Sequence, residues 1–316
     1  MKNIIILLLL VCCFLFWQLR TWIYQPLALE TSTYVMINKG NGSSAVAKSL
    51  YEANLINKPW LFKISARLFG LDKKLKAGEY EFSGLVSIYD IIQKMAKGDV
   101  FYHKITLAEG LTSQQMLESI NNELLLTGNI SINVKEGELL PETYSFTRGD
   151  SRDSIIKQAK QAMNAAIKNA WENRQDGLPI KNSNQLLTLA SIIEKETAMD
   201  SERGLVSSVF VNRLIKGMRL QTDPTVIYAI TQGKKDLGRS LTRKDMLIDS
   251  PYNTYKYYGL PPSPICNPGK ASLEAAANPE FSNYLYFVAD GKGGHNFSSS
   301  LKEHNNNVQK WKKSKK

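Results

Sequence analysis

The spacing of hydrophobic and polar positions changes repeatedly along this chain, and each change marks an element. Ile4 to Trp17 is an unbroken apolar run behind a single charged residue, Lys2. As a helix that run covers about 21 Å, short of a hydrocarbon core of roughly 30 Å, but continued to Tyr24 it reaches about 31 Å. Arg20 then sits where its charge can snorkel, and Trp17, Trp22 and Tyr24 form an interfacial belt. No pair of small residues marks a cleavage point, Pro26 and Ala28 being a poor substitute. Cys12 also stands where a lipoprotein signal ending in Cys13 needs a small residue. The run therefore predicts an uncleaved signal anchor over residues 1–25, although Lys2 and Arg20 nearly balance and charge does not orient it.

Residues 30–104 predict a small α+β unit. Tyr34 to Ile37 alternates as a strand, and the Gly-Asn-Gly-Ser-Ser turn from Gly40 opens a helix with Ser43 as cap and Val46, Leu50 and Leu55 on its inner side and exit. Ala77 to Gly84 reads as a strand ending in a turn. Ser87 caps a helix whose Ile88, Ile91, Ile92 and Met95 face inward and which Gly98 stops, and a short strand follows at Val100 to Leu107.

A second unit, residues 105–316, opens with a turn at Ala108 to Ser113 and a helix over Gln114 to Leu126. A loop-rich aromatic stretch follows (Gly137 to Phe146), then an amphipathic helix over Ser154 to Asp176 and a helix capped by Ser183. Asp223 before Pro224 is a helix start with Asp223 as cap, its free amides able to hold a carbonyl or oxyanion. Tyr284 to Phe297 reads as a buried strand, a glycine turn and a return strand presenting His295. The class is α+β: one transmembrane helix, a small α+β domain and a larger α+β domain.

Composition narrows the chemistry. A chain of 316 residues suits two domains. The net charge of +11 invites a polyanion, yet the basic residues are spread along the whole chain, and the one dense cluster, QKWKKSKK at the end, reads as a solvated tail. Cys266 stands alone beyond the apolar run, and His103, His295 and His304 form no HExxH pair, so neither a disulfide framework nor a metal site is expected. There is no GxSxG elbow, phosphate-cradling GxxxxGK or complete dinucleotide fingerprint; Ser154 and Lys157 match SxxK without the partner motifs, inside an ordinary amphipathic helix.

The segment SIIEKETA, Ser191 to Ala198, sets two acids among residues that want burial. A carboxyl half-sunk in apolar surroundings keeps its proton at neutral pH and can deliver it to a glycosidic oxygen. On a helical wheel Leu186, Leu189, Ala190 and Ile193 form the buried stripe, Glu196 lies on the flank of Leu189 and Ile192, Glu194 beside Leu187, and Lys195 points to solvent. The two glutamates are about 200° apart around the axis, so they cannot act as the facing pair, roughly 5 to 9.5 Å apart, of ordinary glycosidases. Either glutamate could equally be a boundary residue of an amphipathic helix. Downstream, RLQTDPTVIYAI (Arg219 to Ile230) and the tyrosine- and proline-rich SPYNTYKYYGLPPSPICNPG (Ser250 to Gly269) carry the flat faces and hydrogen-bonding groups that a sugar site requires.

The segments LASIIEKET, VNRLIKGMRLQTDPTVIY, YNTYKYYGLPPSPICNPG and YFVADGKGGHNF, in that order and preceded by AGEYEF, EGLT and LPETYSF, resemble the YceG-like family of endolytic murein transglycosylases over essentially the whole chain after the apolar run. The resemblance implies a single-pass anchor in the inner membrane with a cytoplasmic amino terminus, and a LysM-like region (30–104) and a catalytic domain (105–316) with a lysozyme-like site in the periplasm. It implies cleavage of nascent glycan strands between N-acetylmuramic acid and N-acetylglucosamine, leaving a 1,6-anhydro end and ending elongation. It places the catalytic role on Glu196, the glutamate followed by threonine, with Glu194 as runner-up. Gln221, Asp223, Tyr252, Asn253 and Tyr255 are the candidates for holding glycan. The implied partners are peptidoglycan strands, the inner membrane and peptidoglycan synthases; no cofactor, metal or nucleic acid is expected. A lysozyme-type hydrolase using Asp223 as second carboxylate, and a non-catalytic wall-binding scaffold, are the competing readings.

Overall fold

The computed structural model describes residues 2–314. The chain forms two compact units, one holding the residues up to His103 together with Ser145–Gly149, the other Lys104–Tyr144 together with the residues from Asp150 onward.

The first unit begins with α1 (Lys2–Tyr24), long and apolar enough to cross a membrane. It continues through β1 (Leu27–Ile37), α2 (Ser43–Glu52), α3 (Pro59–Leu68), β2 (Gly78–Val86) and α4 (Ile88–Lys97). β1 and β2 pair antiparallel, with Val35 opposite Tyr80, and the register shifts between Leu29 and Thr33. Leu50, Phe62, Tyr80, Ile91 and Ile92 make the core. Ser87 and Asp90 form a reciprocal capping box at the start of α4, and Gly98 ends it at φ +75°, where only a residue without Cβ sits without strain. Ser43 is not a cap: Gly42 occupies that position in extended conformation, and Ser43 is already the first helical residue. α3, opened by Pro59 at its amino end, lay outside the sequence reading.

Glu79 on β2 is buried, and its Oε2 meets His103 Nε2 at 2.6 Å and accepts from Arg148 Nε at 3.2 Å. Burial alone would push the Glu79 carboxyl up, but the hydrogen bonds from His103 and Arg148 outweigh it and hold the group below the ordinary value.

β3 (His103–Thr106) pairs with β4 (Thr143–Phe146), a short strand inside the stretch whose aromatic and proline content reads as loop. The second unit carries α5 (Ser113–Asn122), α6 (Arg152–Glu172), α7 (Ser183–Glu196), α8 (Asp200–Ile215), α9 (Asp223–Thr231), α10 (Lys270–Ala277), the hairpin β5 (Tyr286–Ala289) and β6 (His295–Ser298), and α11 (Leu301–Ser314). α11 continues through most of the basic tail; Lys315 and Lys316 lie outside the described residues. The cap of α7 is Asn182, whose Oδ1 accepts from Gln185 N at 3.0 Å, and not Ser183.

α7 also departs from the single apolar stripe of the wheel. Every residue from Leu186 to Ile193 is buried, so the helix runs through the core with neighbours on all sides. Small residues make this possible: Ala190 and Ser191 face neighbours that include Ala276 and Ala277 of α10 and Cys266. Ser191 is satisfied internally, its hydroxyl donating to Thr188 O at 2.7 Å and accepting from Ile265 N at 3.1 Å.

Candidate active site

α7 ends at Glu196, and its end is where the buried helix meets a cavity. Thr197 leaves in extended conformation, so the last side chains of α7 border open space while those before them are packed. A cavity of about 340 Å³ lies there, lined by Glu109, Glu194, Lys195, Glu196, Thr197 and Arg203. Both glutamates of the motif border it, because it wraps the helix end, yet each is held differently. Glu194 Oε2 accepts from the backbone N–H of Gly269 at 2.9 Å, while Glu196 Oε1 accepts a short hydrogen bond from the Thr222 hydroxyl. Lys195 is exposed, and its Nζ donates to Gly110 O at 3.2 Å.

Thr222 owes its position to two other threonines. Its backbone N–H donates to Thr254 Oγ1 at 3.1 Å, Thr254 and Thr225 join hydroxyls at 2.8 Å, and the Thr225 hydroxyl donates to Thr222 O at 2.7 Å. All three are buried. With those groups occupied, the Thr222 hydroxyl proton is directed to Glu196. Thr222 holds the cap position of α9 without making a side-chain cap, and Asp223 is the first helical residue instead of the cap. The Asp223 carboxylate accepts from the Tyr255 hydroxyl at 2.6 Å.

Burial is the largest influence on the Glu196 carboxyl and pushes its pKa above the ordinary value. The Thr222 hydrogen bond opposes that, the Asp223 charge reinforces it, and His295 and Arg213 pull the pKa down. The result is a carboxyl that favours its proton more than a free glutamate does. Because Thr222 donates to Oε1, Oε2 is the oxygen left to carry that proton.

His295 and Arg213 are each fixed from behind. Glu202 on α8 accepts from His295 N at 2.8 Å with one oxygen and meets His295 Nδ1 at 2.7 Å with the other, leaving the Nε2 side of the ring free of that contact. This clasp needs Gly294: a Cβ there would lie 2.6 Å from Glu202 Oε1. Buried Arg213 donates to Leu285 O at 2.7 Å and Leu220 O at 2.6 Å, tying α8 both to the start of the hairpin and to the segment that leads into Thr222.

The structure brings Glu196, Asp223 and Tyr255 into one electrostatic neighbourhood; burial, followed by the Asp223 bond and the charges of Asp223 and Glu196, raises the Tyr255 phenol. Gln221 is exposed beside them at φ +52°. Asn253 lies elsewhere in role: it is fully buried, its amide donates to Met246 O and Ile248 O, and its oxygen accepts from Tyr255 N, so it shapes the loop that presents Tyr255. Tyr252 packs against Tyr228 at 4.9 Å, with its hydroxyl joined to Ser263 at 2.6 Å. Thr222, Glu202 and Arg213 were missed in the sequence. Thr222 sits inside the RLQTDP signal, but an inspection for acids and bases passes over a threonine. Among the described residues no group of His, Cys, Asp and Glu is arranged to hold a metal ion.

The sequence profile of the YceG-like family matches residues 35–310, a span that contains every side chain of this site. A protein of Bacillus subtilis (strain 168) named endolytic murein transglycosylase is 34% identical, the match covering 92% of this chain and 88% of that protein. One of the same name from Streptococcus pneumoniae serotype 2 (strain D39 / NCTC 7466) is 29% identical over 90% of this chain, which matches 59% of that protein's length. The crystal structure of a YceG-like protein from Listeria monocytogenes, 34% identical, superimposes over 88% of this chain and 99% of its own with a TM-score of 0.53. Profile, relatives and fold agree: the chain belongs to the YceG-like family.

Proposed function

We propose that this chain is an endolytic peptidoglycan transglycosylase that cleaves nascent glycan strands between N-acetylmuramic acid and N-acetylglucosamine, leaves a 1,6-anhydro end and so stops elongation. α1 anchors it in the inner membrane with the amino terminus cytoplasmic, the LysM-like domain (30–104) and catalytic domain (105–316) lie in the periplasm, and synthases supply the strands. The activity named for the Bacillus and Streptococcus relatives supports the reaction class. The observation that carries the residue assignment is the Glu196 carboxyl at the cavity, held by Thr222 and biased by burial toward its protonated form.

One carboxyl suffices for this reaction. Glu196 Oε2 gives its proton to the glycosidic oxygen as that bond breaks, and Arg213 and His295, both of which favour the ionised form of Glu196, offset the negative charge left on the carboxylate. The muramic acid C6 hydroxyl then attacks the anomeric carbon and returns its proton to Glu196. No water enters, so no second base is needed to activate one. In this reading Asp223 and Tyr255, with exposed Gln221, hold the sugar, and Asn253 and Tyr252 keep the Tyr255 loop in shape.

Mass spectrometry of fragments released from purified strands tests both product and residue. Anhydro ends from the wild type, and a loss of about 10²- to 10⁴-fold in Glu196→Gln, are expected. Reducing ends would identify a hydrolase, with Asp223 as the next candidate for second carboxylate, and an unchanged rate in Glu196→Gln would refute the assignment.

A further inference from the structure

We propose that α3 is a membrane-docking helix, laying a stripe of Trp60, Ile64 and Leu68 into the interfacial layer of an anionic bilayer beside the point where α1 leaves it. The proposal rests on the reading that α1 spans the membrane.

α3 has one buried face, Leu61, Phe62, Ser65 and Ala66, which closes the core of its unit. Its other face is unusual for a solvated helix. Trp60, Ile64 and Leu68 recur every four residues and are 48%, 44% and 64% exposed, and between them stand exposed Lys63 and Arg67. The ten residues of the helix contain no Asp or Glu. Large apolar side chains in line, flanked only by cations, are the pattern of a helix lying in a lipid interface, the apolar groups among acyl chains and the cations at anionic headgroups. A groove of about 360 Å³ opens along the same face, lined by these five residues and Ser43.

The occupant follows from what the helix touches. Trp22, in the last turns of α1, meets Trp60 edge-on with ring centroids 6.2 Å apart, and Lys58 Nζ lies 3.5 Å above the Trp22 ring. At the other end Phe69 packs against Tyr89 at 5.3 Å, and Tyr89 against Tyr24 of α1 at 5.0 Å. Ring contacts thus tie both ends of α3 back to the end of α1. When α1 crosses a bilayer, the aromatic level at Trp22 and Tyr24 is the interface, and the stripe is held beside it.

The full chain reconstituted into vesicles of phosphatidylcholine and phosphatidylglycerol, with acyl chains unlabelled or brominated near the headgroup, provides the test through tryptophan quenching. Trp17→Phe isolates the signal of α1 and Trp60→Phe that of α3. Each substitution is expected to remove a share of the quenchable emission, and Lys63→Glu with Arg67→Glu is expected to reduce the Trp60 share at least about twofold. If Trp17 is quenched and Trp60 is not, docking is overturned while the membrane span stands, and the stripe belongs to a protein partner. If neither is quenched, the span itself fails and the proposal falls with it. An equal Trp60 share in pure phosphatidylcholine would overturn the requirement for anionic lipid.

Discussion

An acid that gives away a proton and takes one back needs a carboxyl balanced between its two forms. Burial raises the Glu196 carboxyl above its ordinary value, while Thr222, His295 and Arg213 pull it back toward the ionised form. The same balance costs stability. The folded pKa lies above the ordinary 4.5, so the carboxyl's contribution to stability is most favourable at low pH and declines as pH rises through 4.5 toward the folded value. Glu196→Gln, which cannot ionise, should therefore melt at a higher temperature than the wild type at pH 8, with the gap closing below about pH 4. A gap that is constant or widens on acidification, in thermal melts across that range, would contradict the charge argument. Thr222→Val removes a donor that lowers the pKa, so the basic limb of the rate–pH profile should move to higher pH. The rate itself should fall about tenfold, the equivalent of one orienting hydrogen bond worth about 1.4 kcal/mol. The glutamates at 194 and 196 were legible in the sequence because acids among apolar residues are conspicuous, and the choice of Glu196 between them came from the family resemblance. Thr222 was not, because its importance comes from a tertiary contact 26 positions away and from threonines at 225 and 254 that pin it.

Among the elements, strong local signals carried over and weak ones did not. α6 and α4 were readable because large apolar residues repeat at helical spacing between a cap and a stop. α10, KASLEAAA, lacks that contrast, since its small residues are chosen for close approach to α7 and not for amphipathicity. α8 is buried along much of its length, so its polar and apolar positions do not separate into faces, and β4 is four residues long with a partner far away in sequence. The hairpin, its turn and its presentation of His295 were legible, but β5 is half-buried at every position instead of buried, and the Glu202 partner was missed. Asp290 pins the turn by accepting from Lys292 N and Gly294 N, and the turn delivers His295 to Glu202. Gly294→Ala puts a methyl into the Glu202 carboxylate and should displace that clasp. Strand cleavage is expected to fall about tenfold in kcat with little change in KM, and the pH profile should shift, since His295 influences Glu196. An unaltered profile alongside a lower melting temperature would make the glycine purely structural.

Across the whole molecule the buried and half-buried carboxyls are of two kinds, pushed up by burial or held down by their partners. In the second unit Glu136 and Glu196 are pushed up, each chiefly by burial, whereas Glu138, despite its burial, is held down by its Lys160 hydrogen bond and Asp245 by Arg239 and Thr242. In the first, burial of Glu79 is outweighed by His103 and Arg148, and the group is held down. A carboxyl with a depressed folded pKa stabilises above its unfolded value, near 4.5, and loses that contribution as pH falls through the folded one. Acid should therefore loosen the first unit through Glu79, while in the second it relieves Glu136 and Glu196 and weakens Glu138 and Asp245. Separately cored units also permit separate melting. Calorimetry of the full chain in detergent between pH 7 and 3 is expected to resolve two transitions, with the one belonging to the first unit falling as pH drops. Glu79→Gln should lower that transition at pH 7, by about 1–3 kcal/mol for a buried hydrogen-bonded charge replaced by an amide, and should flatten its dependence on pH. The second transition should be unmoved by Glu79→Gln and raised at high pH by Glu196→Gln. If both substitutions shift the same transition, the units do not unfold separately, and the stability of the site depends on the fold of the first unit as well as its own.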